Sequence, residues 1–192
     1  MKRSFVLFVL SFFILVPLQS QVNYDVIKDP NGRIFKVKKG TKAKFYDDGT
    51  IKSLVPAENF SVWNARGKSY VARAGDRVDF YKNGKVKSFV PLNNVMVWDI
   101  NGKSYQALAG KRISFFDDGN VKSFSPMREI EVKTARGKTY IAQGGYQVEF
   151  YEDGSVKSFY PAKKIKLKAR KKKYKALPGR MVRFDREGYF IR

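Results

Sequence analysis

Glycines stand at positions 40, 75, 110 and 145, each 35 residues from the last, with a closing step of 34 to Gly179. A period of this length constrains the fold more than any other feature. A chain built from copies buries its core between neighbouring copies, so the unit and its stacking together are the fold. The copies run over residues 41–75, 76–110, 111–145 and 146–179. Each opens with an aromatic–turn–glycine string: Phe45-Tyr46-Asp47-Asp48-Gly49, Phe80-Tyr81-Lys82-Asn83-Gly84, Phe115-Phe116-Asp117-Asp118-Gly119 and Phe150-Tyr151-Glu152-Asp153-Gly154. Ile51-Lys52-Ser53-Leu54, Val86-Lys87-Ser88-Phe89, Val121-Lys122-Ser123-Phe124 and Val156-Lys157-Ser158-Phe159 follow, with proline two residues on at 56, 91, 126 and 161.

The first half of each unit reads as a β-hairpin. Val78 and Phe80 alternate with Asp79 and Tyr81 at the strand period. Lys82-Asn83-Gly84 then suits a three-residue loop whose glycine takes the left-handed position of a bulge. A two-residue Asn-Gly turn would slip the register and mix lysines into the apolar face. The expected pairing is Phe80 with Val86 and Asp79 with Lys87, which puts Val78, Phe80, Val86 and Ser88 on one face. The second half reads as another hairpin. Ile130-Glu131-Val132-Lys133 and Ile165-Lys166-Leu167-Lys168 alternate apolar and charged, and the return strands place Tyr70/Ala72, Tyr105/Ala107, Tyr140/Ala142 and Tyr174/Ala176 on one face. Four short antiparallel strands per unit and no helix are expected. Proline ends the second strand where no ladder donor is needed.

Residues 23–40 resemble a second-half hairpin alone, and residues 180–192 a first-half hairpin alone. Two architectures fit: an elongated or curled antiparallel repeat sheet, or a five-bladed propeller closed by its own termini. The charged sides of Glu131, Lys133, Lys166 and Lys168 favour the open sheet, because propeller blades are packed on both faces. Val95-Met96-Val97-Trp98, apolar on both sides, points the other way.

The Phe-Tyr-x-(Asp/Asn)-Gly-x-Val-Lys-Ser string resembles the hairpins of MORN-type and YwqK-like repeats over about half of the repeat region. MORN units are shorter and end in a Gly-x-Gly that is missing here. The resemblance implies a β-hairpin repeat acting as a scaffold or binding surface.

Ahead of the repeats, Met1-Lys2-Arg3-Ser4 is a short basic segment, and Phe5–Leu18 is apolar apart from Ser11. Fourteen residues fall short of the roughly 20 of a membrane-spanning helix and suit the core of a secretory signal peptide. Cleavage is expected after Ser20 or Gln21, which makes residues 1–20 a signal peptide and residues 21–192 one β-repeat domain in the periplasm, the cell envelope or the medium. An outer-membrane barrel fits poorly, since spanning strands need about 9–11 residues.

The chain contains no histidine and no cysteine, which removes the commonest general base, the thiol nucleophiles and the ordinary zinc sites. No cofactor is expected. The carboxylate pairs Asp47-Asp48, Asp117-Asp118 and Glu152-Asp153 occupy turns, where aspartate is favoured for backbone reasons. Each Lys-Ser dipeptide lies in a strand, where neighbouring side chains point to opposite faces, so the pair cannot readily act as base and nucleophile. The expectation is a non-catalytic protein.

Charge then points to the partner. Removing Lys2 and Arg3 from the net +22 leaves +20, a field that captures polyanions. From Lys163 to Lys175 nine of thirteen residues are basic: Lys163, Lys164, Lys166, Lys168, Arg170, Lys171, Lys172, Lys173 and Lys175. Ile165, Leu167, Tyr174 and Ala176 keep the repeat pattern through this run, so it reads as a folded hairpin. Lys52, Lys87, Lys122 and Lys157 recur at one position and form a secondary basic ladder, with Lys68, Lys103 and Lys138 as a second recurrence. The expected partner is an anionic polysaccharide, lipopolysaccharide or anionic lipid headgroups. A structural scaffold for another envelope protein is the alternative reading, and export argues against nucleic acid as the physiological partner.

Overall fold

The computed structural model describes residues 24–30 and 32–191, and all their regular structure is β-strand. The expected signal peptide, residues 1–20, lies outside the described residues. The described residues open with β1 (Tyr24–Lys28) and β2 (Ile34–Lys38). The first unit holds β3 (Lys44–Phe45), β4 (Ile51–Leu54), β5 (Phe60–Trp63) and β6 (Ser69–Ala72), and the second β7 (Val78–Phe80), β8 (Val86–Phe89), β9 (Val95–Trp98) and β10 (Ser104–Ala107). The third holds β11 (Ile113–Phe115), β12 (Val121–Phe124), β13 (Ile130–Lys133) and β14 (Thr139–Ala142). The fourth holds β15 (Val148–Phe150), β16 (Val156–Phe159), β17 (Ile165–Lys168) and β18 (Lys173–Ala176), and β19 (Val182–Phe184) and β20 (Phe190–Ile191) follow.

The two kinds of hairpin go to two layers. First-half hairpins join edge to edge into one ten-stranded antiparallel sheet, ordered β3-β4-β7-β8-β11-β12-β15-β16-β19-β20. Second-half hairpins stay as five separate two-stranded sheets laid over one face of it. Strand β4 therefore pairs with β7 and skips β5 and β6. A propeller blade would keep all four strands of a unit in one sheet. Here they are split between layers, and the large sheet ends in two separate edges, β3 and β20. The open repeat sheet is the observed form.

Local chemistry explains each hairpin. In β7–β8 the Tyr81 amide donates to Lys85 O and the Gly84 amide to Tyr81 O, closing the three-residue loop with Gly84 at φ 75°. Asn83 Oδ1 accepts the Lys85 amide, as Asp118 and Asp153 accept those of Asn120 and Ser155, so these side chains serve the turn. Phe80 pairs with Val86 as expected, but Asp79 pairs with Ser88 rather than Lys87. A second bulge takes up Lys87. It turns Ser88 away from the core to the other face of the sheet, where the serine is buried beneath Asp79 and Arg112 and its hydroxyl donates to Asp79, and it turns Phe89 fully into the core. The bulge recurs in β3–β4, β11–β12 and β15–β16. The expected inward Ser88 is thus replaced by Phe89, because burying phenylalanine outweighs an unbroken ladder.

The proline links the layers. Pro56, Pro91, Pro126 and Pro161 each bridge the return strand of the preceding second-half hairpin, at Val37, Ala72, Ala107 and Ala142. Flanking amides complete the contact, for example Leu92 N–H to Val71 O and Arg73 N–H to Val90 O. Proline therefore marks where the chain leaves one layer for the other. Between the layers, Tyr70 packs on Phe89 and Phe115, Tyr105 on Phe124 and Phe150, and Tyr140 on Phe159 and Phe184. Each tyrosine belongs to one unit and its two phenylalanines to the next two. The core is continuous because every second-half hairpin spans a unit boundary.

Candidate functional site

In the second-half hairpins of the four full units, the pairing sorts side chains into inward and outward. In β17–β18 the pairs Ile165↔Ala176 and Leu167↔Tyr174 face the core, while Lys166↔Lys175 and Lys168↔Lys173 face solvent. Four ammonium groups thus stand in two directly opposed like-charge pairs, an arrangement that costs stability unless something anionic lies over it. No Asp or Glu occurs from Gly154 to Phe184. Among the described residues no ion pair involves Lys166, Lys168, Lys173 or Lys175.

These four lysines, with Leu167, Tyr174 and Lys138, line an open groove of about 770 Å3 between β13–β14 and β17–β18. Lys138 comes from the neighbouring unit. Its Nζ donates to Lys166 O at 3.2 Å and lies 5.1 Å from the Tyr140 ring, so the side chain is drawn across the gap towards the groove. The Tyr140 hydroxyl donates to the same carbonyl. Lys138 was visible in the sequence only as one of a recurring set. Its membership of this groove follows from hairpin stacking across a unit boundary.

The other residues of the basic run divide. Lys163 and Lys164 are exposed in the turn before β17. Lys171 and Lys172 sit in the turn after it, where the loop is one residue shorter than in the other units and lacks their glycine. Arg170 is engaged within the protein. Its guanidinium bonds Glu187 at 2.7 Å and Asp185 at 3.3 Å and lies over the Tyr189 ring, and the two carboxylates, Glu187 first, hold its pKa above the ordinary arginine value. Arg170 ties the hairpin down, and the lysines remain free to meet a ligand.

The secondary ladder lies in the other layer. Lys52, Lys87, Lys122 and Lys157 each place Nζ over the ring of Tyr46, Tyr81, Phe116 or Tyr151, 5.4–6.0 Å from its centre. Lys157 is paired with Glu149 at 2.8 Å, and the Glu152 carboxyl is held below its usual range by its own backbone amide first, then by Arg186 and, least, Lys122. The structure does not bring this ladder together with the β17–β18 lysines. The Lys68–Lys103–Lys138 recurrence ties hairpins side by side: Lys68 lies over the Trp98 ring, and Lys103 donates to Glu131 O. Compared with known proteins, the chain matches no family model, no curated protein and no solved structure.

Proposed function

We propose that this is an exported, non-catalytic binding module, akin to MORN-type hairpin repeats, that captures an anionic polymer or anionic envelope surface through its basic hairpin layer. The observation that supports this most is the groove of Lys138, Lys166, Lys168, Lys173 and Lys175, four of them in opposed like-charge pairs on one folded hairpin. A groove held by a packed hairpin orders few additional side chains on binding, so more of the charge attraction is available as affinity. The chemistry suited to it is a run of phosphates, sulfates or carboxylates on one chain or surface.

Heparin, as a soluble model polyanion, tests the reading. Binding should weaken steeply with added salt, because neutralising closely spaced anions releases their counterions. Replacing Lys166, Lys168, Lys173 and Lys175 together with glutamine should lower both affinity and its salt slope, while replacing Lys52 and Lys87 does less. Equal binding by the quadruple variant, or indifference to salt, sinks the proposal.

A further inference from the structure

Each of the five second-half hairpins turns one face away from the core, and the chemistry of that face changes along the stack. On β1–β2 the outward residues are Tyr24, Val26, Lys28, Ile34, Lys36 and Lys38. On β5–β6 they are Ser61, Trp63, Ser69 and Val71, and on β9–β10 Met96, Trp98, Ser104 and Gln106, uncharged at every strand position, with the Lys68 ammonium over the Trp98 ring. On β13–β14 they are Glu131, Lys133, Thr139 and Ile141, and on β17–β18 only lysines. Large apolar side chains on the first three hairpins stand open to solvent: Ile34 is 67% exposed, Val26 61%, Trp63 50% and Met96 41%. Packing does not account for them, because the inward partners in the same strands already fill the core.

We propose that this face docks on a lipid bilayer carrying anionic headgroups, with Trp63, Val71, Met96 and Trp98 entering the interface and the β17–β18 lysines resting on the phosphates. The proposal rests on the polyanion reading and names its carrier. Three features select a bilayer. Aromatic and apolar groups beside lysines match the layered chemistry of a membrane surface, where tryptophan settles at headgroup depth and lysine is drawn to anionic lipid. Protein interfaces deplete lysine, which disfavours a protein as occupant of the same face. The scale also fits. Successive hairpins advance by two strands of the large sheet, roughly 10 Å, so the uncharged and cationic hairpins lie roughly 20–30 Å apart. One small amphiphile cannot join its tail to one and its head to the other, whereas an extended surface meets both.

Both tryptophans of the chain, Trp63 and Trp98, lie on this face, so intrinsic fluorescence reads its burial directly. Residues 21–192 are the probe, since the apolar Phe5–Leu18 stretch would partition into lipid by itself. Vesicles of phosphatidylcholine mixed with phosphatidylglycerol should shift the emission to the blue, and brominated acyl chains should quench it. Pure phosphatidylcholine should do far less. Replacing Val71 and Met96 with serine, both at solvent-facing positions, should weaken vesicle partitioning by about tenfold and leave heparin affinity unchanged. Vesicle binding without quenching, and insensitive to V71S/M96S, overturns the proposal and leaves lysines alone as the contact. Heparin binding with no affinity for phosphatidylglycerol vesicles overturns it too, while the polyanion reading stands. Loss of heparin binding with quenching retained does the opposite: the bilayer docking stands and capture of a soluble polyanion falls. Self-association that buries both tryptophans without lipid assigns the face to a second copy and overturns the proposal.

Discussion

Tyr46, Tyr81 and Tyr151 each donate a hydroxyl hydrogen bond to the carbonyl of the next unit's phenylalanine, at Phe80, Phe115 and Phe184, over 2.8–2.9 Å. The third unit has Phe116 at this place and no hydroxyl to offer Phe150 O. Phe116→Tyr should therefore add the missing inter-unit bond and raise stability by about 0.5–1.5 kcal/mol, with Tyr81→Phe losing a similar amount. Urea midpoints of the two variants check this, and a destabilised F116Y would show that the third junction differs from its neighbours. The inter-layer tyrosines carry a pH dependence. Burial raises Tyr70 to about 12 against the opposing field of Arg66, and burial plus its bond to Asp99 raises Tyr105 further. A phenol whose folded pKa exceeds its unfolded value near 10 stabilises fully below that value and loses this stability as pH rises through the folded one. The urea midpoint should fall as pH rises from about 10 towards about 12, and fall less in Tyr105→Phe. An identical fall in that variant would remove Tyr105 from the account.

At the scale of the element, hairpin identity was legible because its determinants are local. Alternation at period two marks the strands, and a glycine at φ near 75° requires the loop wherever the string places it. The bulge at Lys87 was not legible. Whether Ser88 or Phe89 turns inward depends on a second layer waiting to cover the phenylalanine, and a single hairpin contains no such layer. The β17–β18 hairpin was legible as a basic element, since Ile165, Leu167, Tyr174 and Ala176 preserve the inward pattern through the lysines. Its opposed like charges yield a prediction. Lys175→Glu sets a carboxylate opposite Lys166 and should stabilise the fold by about 0.2–1 kcal/mol while weakening heparin binding. Thermal melts and a binding isotherm on the same preparation measure both. A variant that gains stability and keeps its affinity would place the ligand elsewhere.

For the whole molecule, stacking makes stability a sum over neighbouring contacts, so damage at one end should stay there. Removing residues 180–192 takes away β19–β20 and the Phe184 ring that packs on Tyr140 and Phe159. It should lower the unfolding midpoint and leave far-UV β signal from the remaining units. Complete loss of structure would instead mean that the two layers fold only as one cooperative whole. The sequence by itself determined the unit, its two hairpins, their turns and the run of positive charge. Those follow from periodicity, glycine and proline, which act over a few residues. Tertiary structure alone decided that first-half hairpins merge into one sheet while second-half hairpins turn over it. The alternation of Val95-Met96-Val97-Trp98 is the same in either arrangement, and only the core position of Val95 and Val97 fixes Met96 and Trp98 as outward. Packing likewise carried Lys138 across a unit boundary into the groove of another hairpin, a contact 28 residues long in sequence and set by the stacking of one copy on the next.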